Sequence, residues 1–327
     1  MTIRIRMQRP GLALAVAGVL LAGSTAVLAQ SFPTKSVRVV VGYPPGGGND
    51  LIARAVSNRL AEIWKQPVVV ENKAGASGSI GADFVARSAP DGYNLLVTGT
   101  SHLIHGAMSK RVPYKAVDDF TGIAMVGTAP MIIEVNNKLP VTNVRELIEL
   151  AKTRSLNYGS AGTATSPHIA AELFARAAGI KMTHIPYKGS GPMQTDLIGG
   201  QVDLGVQVTQ TTIPSIKAGQ VRGIAVTGRS RMADLPNLPT VIESGLPGFT
   251  MELWWGFMGP ANMPAATVRA LNEGVRNALT AAEVQRQLNA AGLIVGGSTP
   301  EEMQKTMRAD FEAFAKLGRE SGITAED

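Results

Sequence analysis

The stretch that decides the fold runs from Val37 to Trp64 and reads VRVVVGYPPGGGNDLIARAVSNRLAEIW. Val37–Val41 is a short β-branched run, the composition of a buried strand. Tyr43 to Asp50 is too rich in Pro and Gly to continue it and reads as a loop. From Leu51 onward, Ile52, Val56, Leu60 and Ile63 recur at helical spacing, which predicts an amphipathic helix over Leu51–Trp64. Asp50 most simply caps that helix, and at a cleft mouth it would also order a ligand water. A strand, a glycine-rich loop and a helix in succession make one unit of α/β layering. In an open α/β sheet such a loop lies at the carboxyl end of its strand, where ligands bind.

The same construction recurs three times downstream. Gly75-Ala76-Ser77-Gly78-Ser79 leads into a helix carrying Ile80 and Phe84. Ser160 to Pro167 opens a helix that buries Ile169 and Leu173 and stops at Gly179, with Ser166 fitting the N-cap and Pro167 the first helical position. Lys188-Gly189-Ser190-Gly191-Pro192 opens the fourth. Each junction offers backbone N–H groups at the positive end of a helix dipole, a construction that accepts an anion. Two lie early in the chain and two in its middle, so on different lobes they would face each other across a cleft.

Further strands are predicted at Val68–Glu71, Leu95–Thr98, Ile123–Val126, Met131–Val135, Leu156–Gly159, Met182–Ile185, Val202–Val208, Gly223–Thr227 and Met251–Phe257. Helices are expected at Val144–Lys152 behind an Asn143 cap, near Ala266–Ala281 and over Pro300–Leu317. Upstream, residues 1–30 have the layout of a secretory signal peptide. Arg4, Arg6 and Arg9 precede a 13-residue uncharged run, Gly11–Gly23, and small residues at Val27 and Ala29 place cleavage after Ala29. Removing 29 residues and three arginines from a chain of 327 residues and net charge +6 leaves 298 residues at +3. That mild excess, spread along the chain, is not the clustered stripe a nucleic-acid partner needs. A soluble periplasmic protein is expected.

Several chemistries are missing. The absence of Cys excludes disulfides, thiol nucleophiles and Cys-ligated metals. Gly46-Gly47-Gly48 is followed by no Gly-Lys-Ser/Thr, no dinucleotide fingerprint opens a helix, and no G-x-S-x-G elbow occurs. His102 and His105 share a helical spacing, but no H-E-x-x-H pattern accompanies them in the sequence. Trp254-Trp255 reads as core or interlobe packing. No cofactor is expected, and binding is the function that remains.

The ordered motifs closely resemble the Bug receptors, the TctC-like periplasmic solute-binding proteins of tripartite tricarboxylate transporters. The matching stretches are YPPGGGND (43–50), VVVENKAGASGSIG (68–81), APDGY (89–93), IPYKGSGP (185–192), LIGGQVDL (197–204) and LPNLPTVIESGLPG (235–248). Trp255-Gly256 and Thr299-Pro300-Glu301-Glu302 complete the set. The resemblance implies a type II periplasmic binding fold, two α/β lobes joined by two crossing segments with a ligand cleft between. It places the crossings near Thr128–Pro130 and Phe249–Leu253, giving lobe one residues 30–129 and 250–327, and lobe two residues 130–249. It implies a small carboxylate ligand, held largely by backbone N–H groups and ordered water.

Carried over by position, Tyr43, Pro45, Gly46 and Gly47 would form the first wall, with Ser101 and His102 as side-chain donors. Ala161, Gly162, Thr163, Thr165 and His168 would form the second, with Tyr187 and Gly189 opposite. Where many relatives carry an Asp-Asn pair after Leu204, this chain has Gln207-Val208. Losing that acid argues for a plain organic acid over an amino acid. The implied partner is the permease of a tripartite transporter and the implied state a monomer. A co-receptor docking on a sensor kinase is the alternative, and an exported hydrolase using Ser160 or His168 is a more remote one.

Overall fold

A computed structural model describes residues 1–3 and 32–321, so all but the first three residues of the expected signal segment, its cleavage point included, lie outside the described residues. The first strand, β1 (Val37–Val41), feeds α1 (Gly48–Trp64), followed by β2 (Val68–Asn72), α2 (Ser79–Ala86), β3 (Asn94–Gly99) and α3 (Thr100–Met108). β1 is buried at all four of its valines and exposed at Arg38, and it runs parallel to β2 on one side and β3 on the other. Ile52, Val56 and Leu60 are the buried stripe of α1. The α1 start differs from expectation: the helix begins at Gly48 with Gly47 as its N-cap, and Asp50, already its third residue, accepts from the Gly46 N–H at 3.0 Å and so ties the loop down without being the cap.

β4 (Phe120–Asn136) is one strand of 17 residues where two were expected. Phe120–Pro130 pairs with β9 (Glu252–Pro260), and Met131–Val135 with β7 (Leu204–Val208). Pro130 reads in sequence as a break. It sits where β4 leaves one partner for the next, a place where a missing N–H is tolerated. Between these strands lie α4 (Val144–Thr153), β5 (Leu156–Ser160), α5 (Ser166–Ala178), β6 (Met182–Pro186) and α6 (Ser190–Gly199). After β7 come α7 (Thr209–Lys217) and β8 (Val221–Val226). The chain closes with α8 (Ala265–Leu279), α9 (Ala282–Ala290), β10 (Ile294–Val295) and α10 (Pro300–Ser321).

The strand order is β2-β1-β3-β9-β4-β7-β5-β6, with β8 and β10 also on β4. Two α/β lobes therefore share β4. Thr227 stitches the crossing: its hydroxyl accepts from the Met131 N–H at 2.8 Å and donates to the Met251 carbonyl.

Local capping signals explain the starts of α4 and α10. Asn143 caps α4 by accepting from the Glu146 N–H at 2.9 Å. Thr299 and Glu302 form a reciprocal capping box on α10, which gives the Thr-Pro-Glu-Glu motif a physical role. The α5 start differs from expectation. Thr165, not Ser166, is the N-cap, its hydroxyl donates to the Gly162 carbonyl, and Ser166 is already helical. Helices α3, α7 and α9 were not expected; none is announced by a glycine run or an acidic cap box.

Candidate functional site

Between the lobes lies a small cavity of about 40 Å³. Tyr43, Gly47, Gly48 and Asn49 line it from the β1–α1 junction, and Gly99, Thr100 and Ser101 from β3–α3. Ala161, Ser166 and Pro167 come from β5–α5, Ser190 from β6–α6 and Val208 from β7–α7, while Leu253, Trp254 and Trp255 of β9 form the remaining wall. Five helices, α1, α3, α5, α6 and α7, thus start at one cavity. The first N–H groups of a helix have no intrahelical acceptor, and its N-terminus carries about half a positive charge. Among the described lining residues there is no Asp, Glu, Lys, Arg or His. The field is therefore positive and supplied by backbone.

The lobes touch around this cavity. The Ser77 hydroxyl donates to the Thr163 carbonyl at 2.8 Å. Ser101 donates to the Ser166 hydroxyl at 2.9 Å and accepts from the Ser166 N–H at 3.1 Å. One of the exposed donors of α5 is thus met from the other lobe. Glycines permit the approach: a Cβ on Gly162 would lie 2.7 Å from Ser77 Oγ, and one on Gly189 3.1 Å from Pro44 Cδ.

Of the residues singled out in the sequence, Tyr43, Gly47, Ser101 and Ala161 line the cavity. Pro45 and Gly46 form the exposed tip of the same loop. Asp50 is buried behind it, where burial would raise its carboxyl, but hydrogen bonds from Arg54, Gly46 and Asn72 with the Arg54 charge hold it below its ordinary value. Gly162 and Thr163 make the interlobe seam with Ser77, and Gly189 packs on Pro44. The Tyr187 hydroxyl donates to Asp196.

The histidines and Gln207 turn inward. His102 is hydrogen-bonded to the Ala116 carbonyl at 2.9 Å and packed on Tyr114 and Phe120. His168 Nδ1 accepts from the Ala164 N–H, shaping the loop before α5, and its ring stacks on His184 at 4.0 Å. Burial lowers His102 and His168 to about 4, so both rings are neutral near pH 7. Gln207 is fully buried and donates to the Gly159 carbonyl at 3.2 Å. Ser160 lies 2.6 Å from His184 Nε2, the kind of pair a hydrolase needs. It is fully buried, however, and its hydroxyl is also engaged with both N–H and carbonyl of Gly162.

Sequence reasoning missed Gly99 and Thr100 at α3, Val208 at α7, and the lining role of Ser166 and Ser190. A strand ending directly in a helix was the available signal at α3 and α7. The tryptophans are buried as expected, and both also face the cavity.

The sequence profile of the tripartite tricarboxylate transporter family receptor matches residues 52–319. Protein BugT of Bordetella pertussis is 32% identical over 316 residues, covering 95% of this chain and 96% of that protein. A solved R. palustris protein with adipate is 33% identical with a TM-score of 0.86, covering 90% of this chain and 99% of the other. MatC from Rhodopseudomonas palustris, with bound malate, is 28% identical with a TM-score of 0.84, covering 88% and 99%. The profile match over most of the chain and full-length likeness to a Bug protein carry one conclusion: the chain belongs to the tripartite tricarboxylate transporter receptor family, TctC, whose members include the Bug proteins.

Proposed function

We propose that this protein is a periplasmic receptor that captures a small organic acid between its lobes and presents it to a tripartite-type membrane permease. The observation that carries this reading is the convergence of five helix N-termini on one interlobe cavity without a charged side chain in its lining. Such a site neutralises an anion by oriented dipoles and N–H groups, leaving no fixed ammonium or guanidinium to demand one geometry. The relatives solved with adipate and malate support a carboxylate ligand. No helix among the described residues is long and apolar enough to cross a membrane.

Lobe one is assigned to residues 30–129 and 250–327, and lobe two to 130–249, with the crossings at the Thr227 stitch. A ligand touching both lobes favours the arrangement in which Ser77–Thr163 and Ser101–Ser166 meet, and the permease reads that closed form. Tyr43, Gly47, Ser101 and Ala161 are the expected residues that contact the ligand; Gly162, Thr163 and Gly189 act through closure.

The test is a thermal-shift screen of refolded, ligand-stripped protein against mono-, di-, tri- and aromatic carboxylates. A ligand at about 100 times its Kd adds about 2.7 kcal/mol, which for a chain of this size raises Tm by roughly 5–10 °C. A response to sugars or amines and to no acid would overturn the reading.

A further inference from the structure

Most polar side chains in the cavity lining are engaged within the protein. The Tyr43 hydroxyl donates to the Ser77 carbonyl, and Ser101 is bonded to Ser166. Thr100 Oγ1 accepts from the Trp254 N–H at 3.0 Å, and the Trp254 indole donates to Asp310 at 2.7 Å. Three lining side chains remain, those of Asn49, Ser190 and Trp255, whose polar atoms find no partner among the described residues. Trp255 is 5% exposed and Ser190 8%, so neither is a surface group served by bulk water. Yet Trp255 Nε1 and Ser190 Oγ are not among the sealed unpartnered atoms, so each opens on the space that its residue lines. In Asn49 the Oδ1 is sealed, which leaves Nδ2 as the open end of the amide.

The chemistry of the missing partner follows from these atoms. An indole N–H and an amide Nδ2 only donate, and a serine hydroxyl can donate. A buried Trp N–H ordinarily has an acceptor, so the Trp255 indole carries the strongest demand for one. A group that only accepts, an ionised carboxylate, answers all three. The donors also come from both lobes. Trp255 pairs with Gly99 at the end of β3 and Asn49 is the second residue of α1, whereas Ser190 is the first residue of α6.

Size is the second constraint. At about 10–15 Å³ for each water-sized group, the cavity of about 40 Å³ holds roughly three such groups. The lobes already touch around it, through Ser77–Thr163, Ser101–Ser166 and the packing of Gly189 on Pro44. A second carboxylate would find neither room nor a cation in the lining, and an unpaired buried charge is costly.

We propose that Trp255, Asn49 and Ser190 are the side chains that read the ligand's carboxylate, and that the receptor selects a short monocarboxylate, such as acetate or propionate, over longer or doubly charged acids. This rests on the carboxylate reading above and names the class of acid.

Calorimetric titration of refolded, ligand-stripped protein with acetate, propionate, malate and adipate tests it. The wild type should bind acetate or propionate at least about tenfold more tightly than malate or adipate. Trp255→Phe keeps an aromatic ring and removes the N–H, and should weaken binding of the preferred short acid roughly ten- to a hundredfold. Ser190→Ala should weaken it by about three- to tenfold, and circular dichroism checks that both variants fold. If Trp255→Phe does not fold, Ser190→Ala decides the donor assignment.

Malate or adipate bound as tightly as the short acids would overturn the size selection. Folded variants that bind the short acid as the wild type does would overturn the donor assignment. Both results leave the carboxylate reading in place, whereas failure of every acid to bind the wild type would overturn that reading itself.

Discussion

The two walls of the cavity are backed by different materials. Behind the lobe-one wall, backbone packs on backbone: a Cβ on Gly42 would lie 2.6 Å from the Gly78 carbonyl oxygen, and one on Gly81 2.8 Å from Gly42 Cα. The Tyr43 hydroxyl fastens the loop by donating to the Ser77 carbonyl at 2.8 Å, and Asn72 holds the Tyr43 carbonyl at 2.9 Å. Behind the lobe-two wall, beneath α6 and α7, sits a sealed polar layer. Gln194 donates to Glu134 at 3.0 Å, and Gln207 stands nearby on β7, each with a side-chain oxygen that has no partner. One wall is thus set by steric contact and the other by hydrogen bonds that depend on a proton.

The largest effect should come from testing the steric wall. Gly99 ends β3, and a Cβ there would lie 1.9 Å from the Trp254 carbonyl oxygen, within the pairing of β3 with β9. Backbone on both sides cannot yield, so Gly99→Ala should cost more than about 4 kcal/mol and leave little folded protein. Its counterpart in lobe two, Gly205→Ala, meets the Met193 methyl at 2.2 Å. A methionine end can swing away, so the cost should be about 1–3 kcal/mol. Denaturant melts of the two variants check this contrast; equal losses would erase it.

The proton dependence of the second wall is the next largest effect. Burial pushes the Glu134 carboxyl up to about 8, against the opposing pull of Gln194 and the Thr212 hydroxyl. The folded state then holds a proton that the unfolded chain releases near pH 4.5, so stability falls as pH rises from about 4.5 to 8. Glu134→Gln removes that dependence, and its Tm should exceed the wild type by several degrees at pH 8–9 and converge with it near pH 4.5. A constant offset across the range would show that Glu134 is ionised in the folded protein.

Acid acts on both walls alike. His102 in lobe one, and His168 and His184 in lobe two, are lowered to about 4 mainly by burial. The unfolded chain takes up protons near pH 6.5 that the folded chain refuses, so stability should fall as pH drops from about 6.5 to 4. Replacing His102 with Gln should flatten part of that limb in urea melts, whereas an unchanged slope would assign it to the carboxylates.

The lobe-one wall was far more legible in the sequence than the layer behind lobe two. YPPGGGND announces its loop by composition, because a chain bending over a helix start needs glycine and proline. The junctions at Gly99–Ser101 and Val208–Gln210 carry no such mark, since a strand running straight into a helix needs no special backbone. Family position led to both Ser101 and His102. Adjacent helical residues point in different directions, and only Ser101 lines the cavity. The polar layer joins residues far apart in sequence, with Glu134 and Gln194 separated by 60 positions. In MIIEVN the glutamate fits a plain alternating strand, and only the pairing of β4 with β7 reveals that both faces there are buried.

The smallest effect bears on whether the two walls act as one site. Ser101 lines the cavity, so changing it alters closure and ligand contact together. Ser77 is outside the lining, and its side chain makes one interlobe bond, to the Thr163 carbonyl. Ser77→Ala therefore reports on closure alone. That bond exists only when the lobes meet, so its loss should weaken ligand binding by about 0.5–1.5 kcal/mol, roughly two- to tenfold in Kd. On the proposed hinge closure, the Tm of the ligand-free protein should hardly move, because the open form would already have given the bond up. The opposite pattern, a lower ligand-free Tm at constant Kd, would mean that the lobes stay together without a ligand, and the steric and polar walls would then form a preset pocket in place of two halves that meet around an acid.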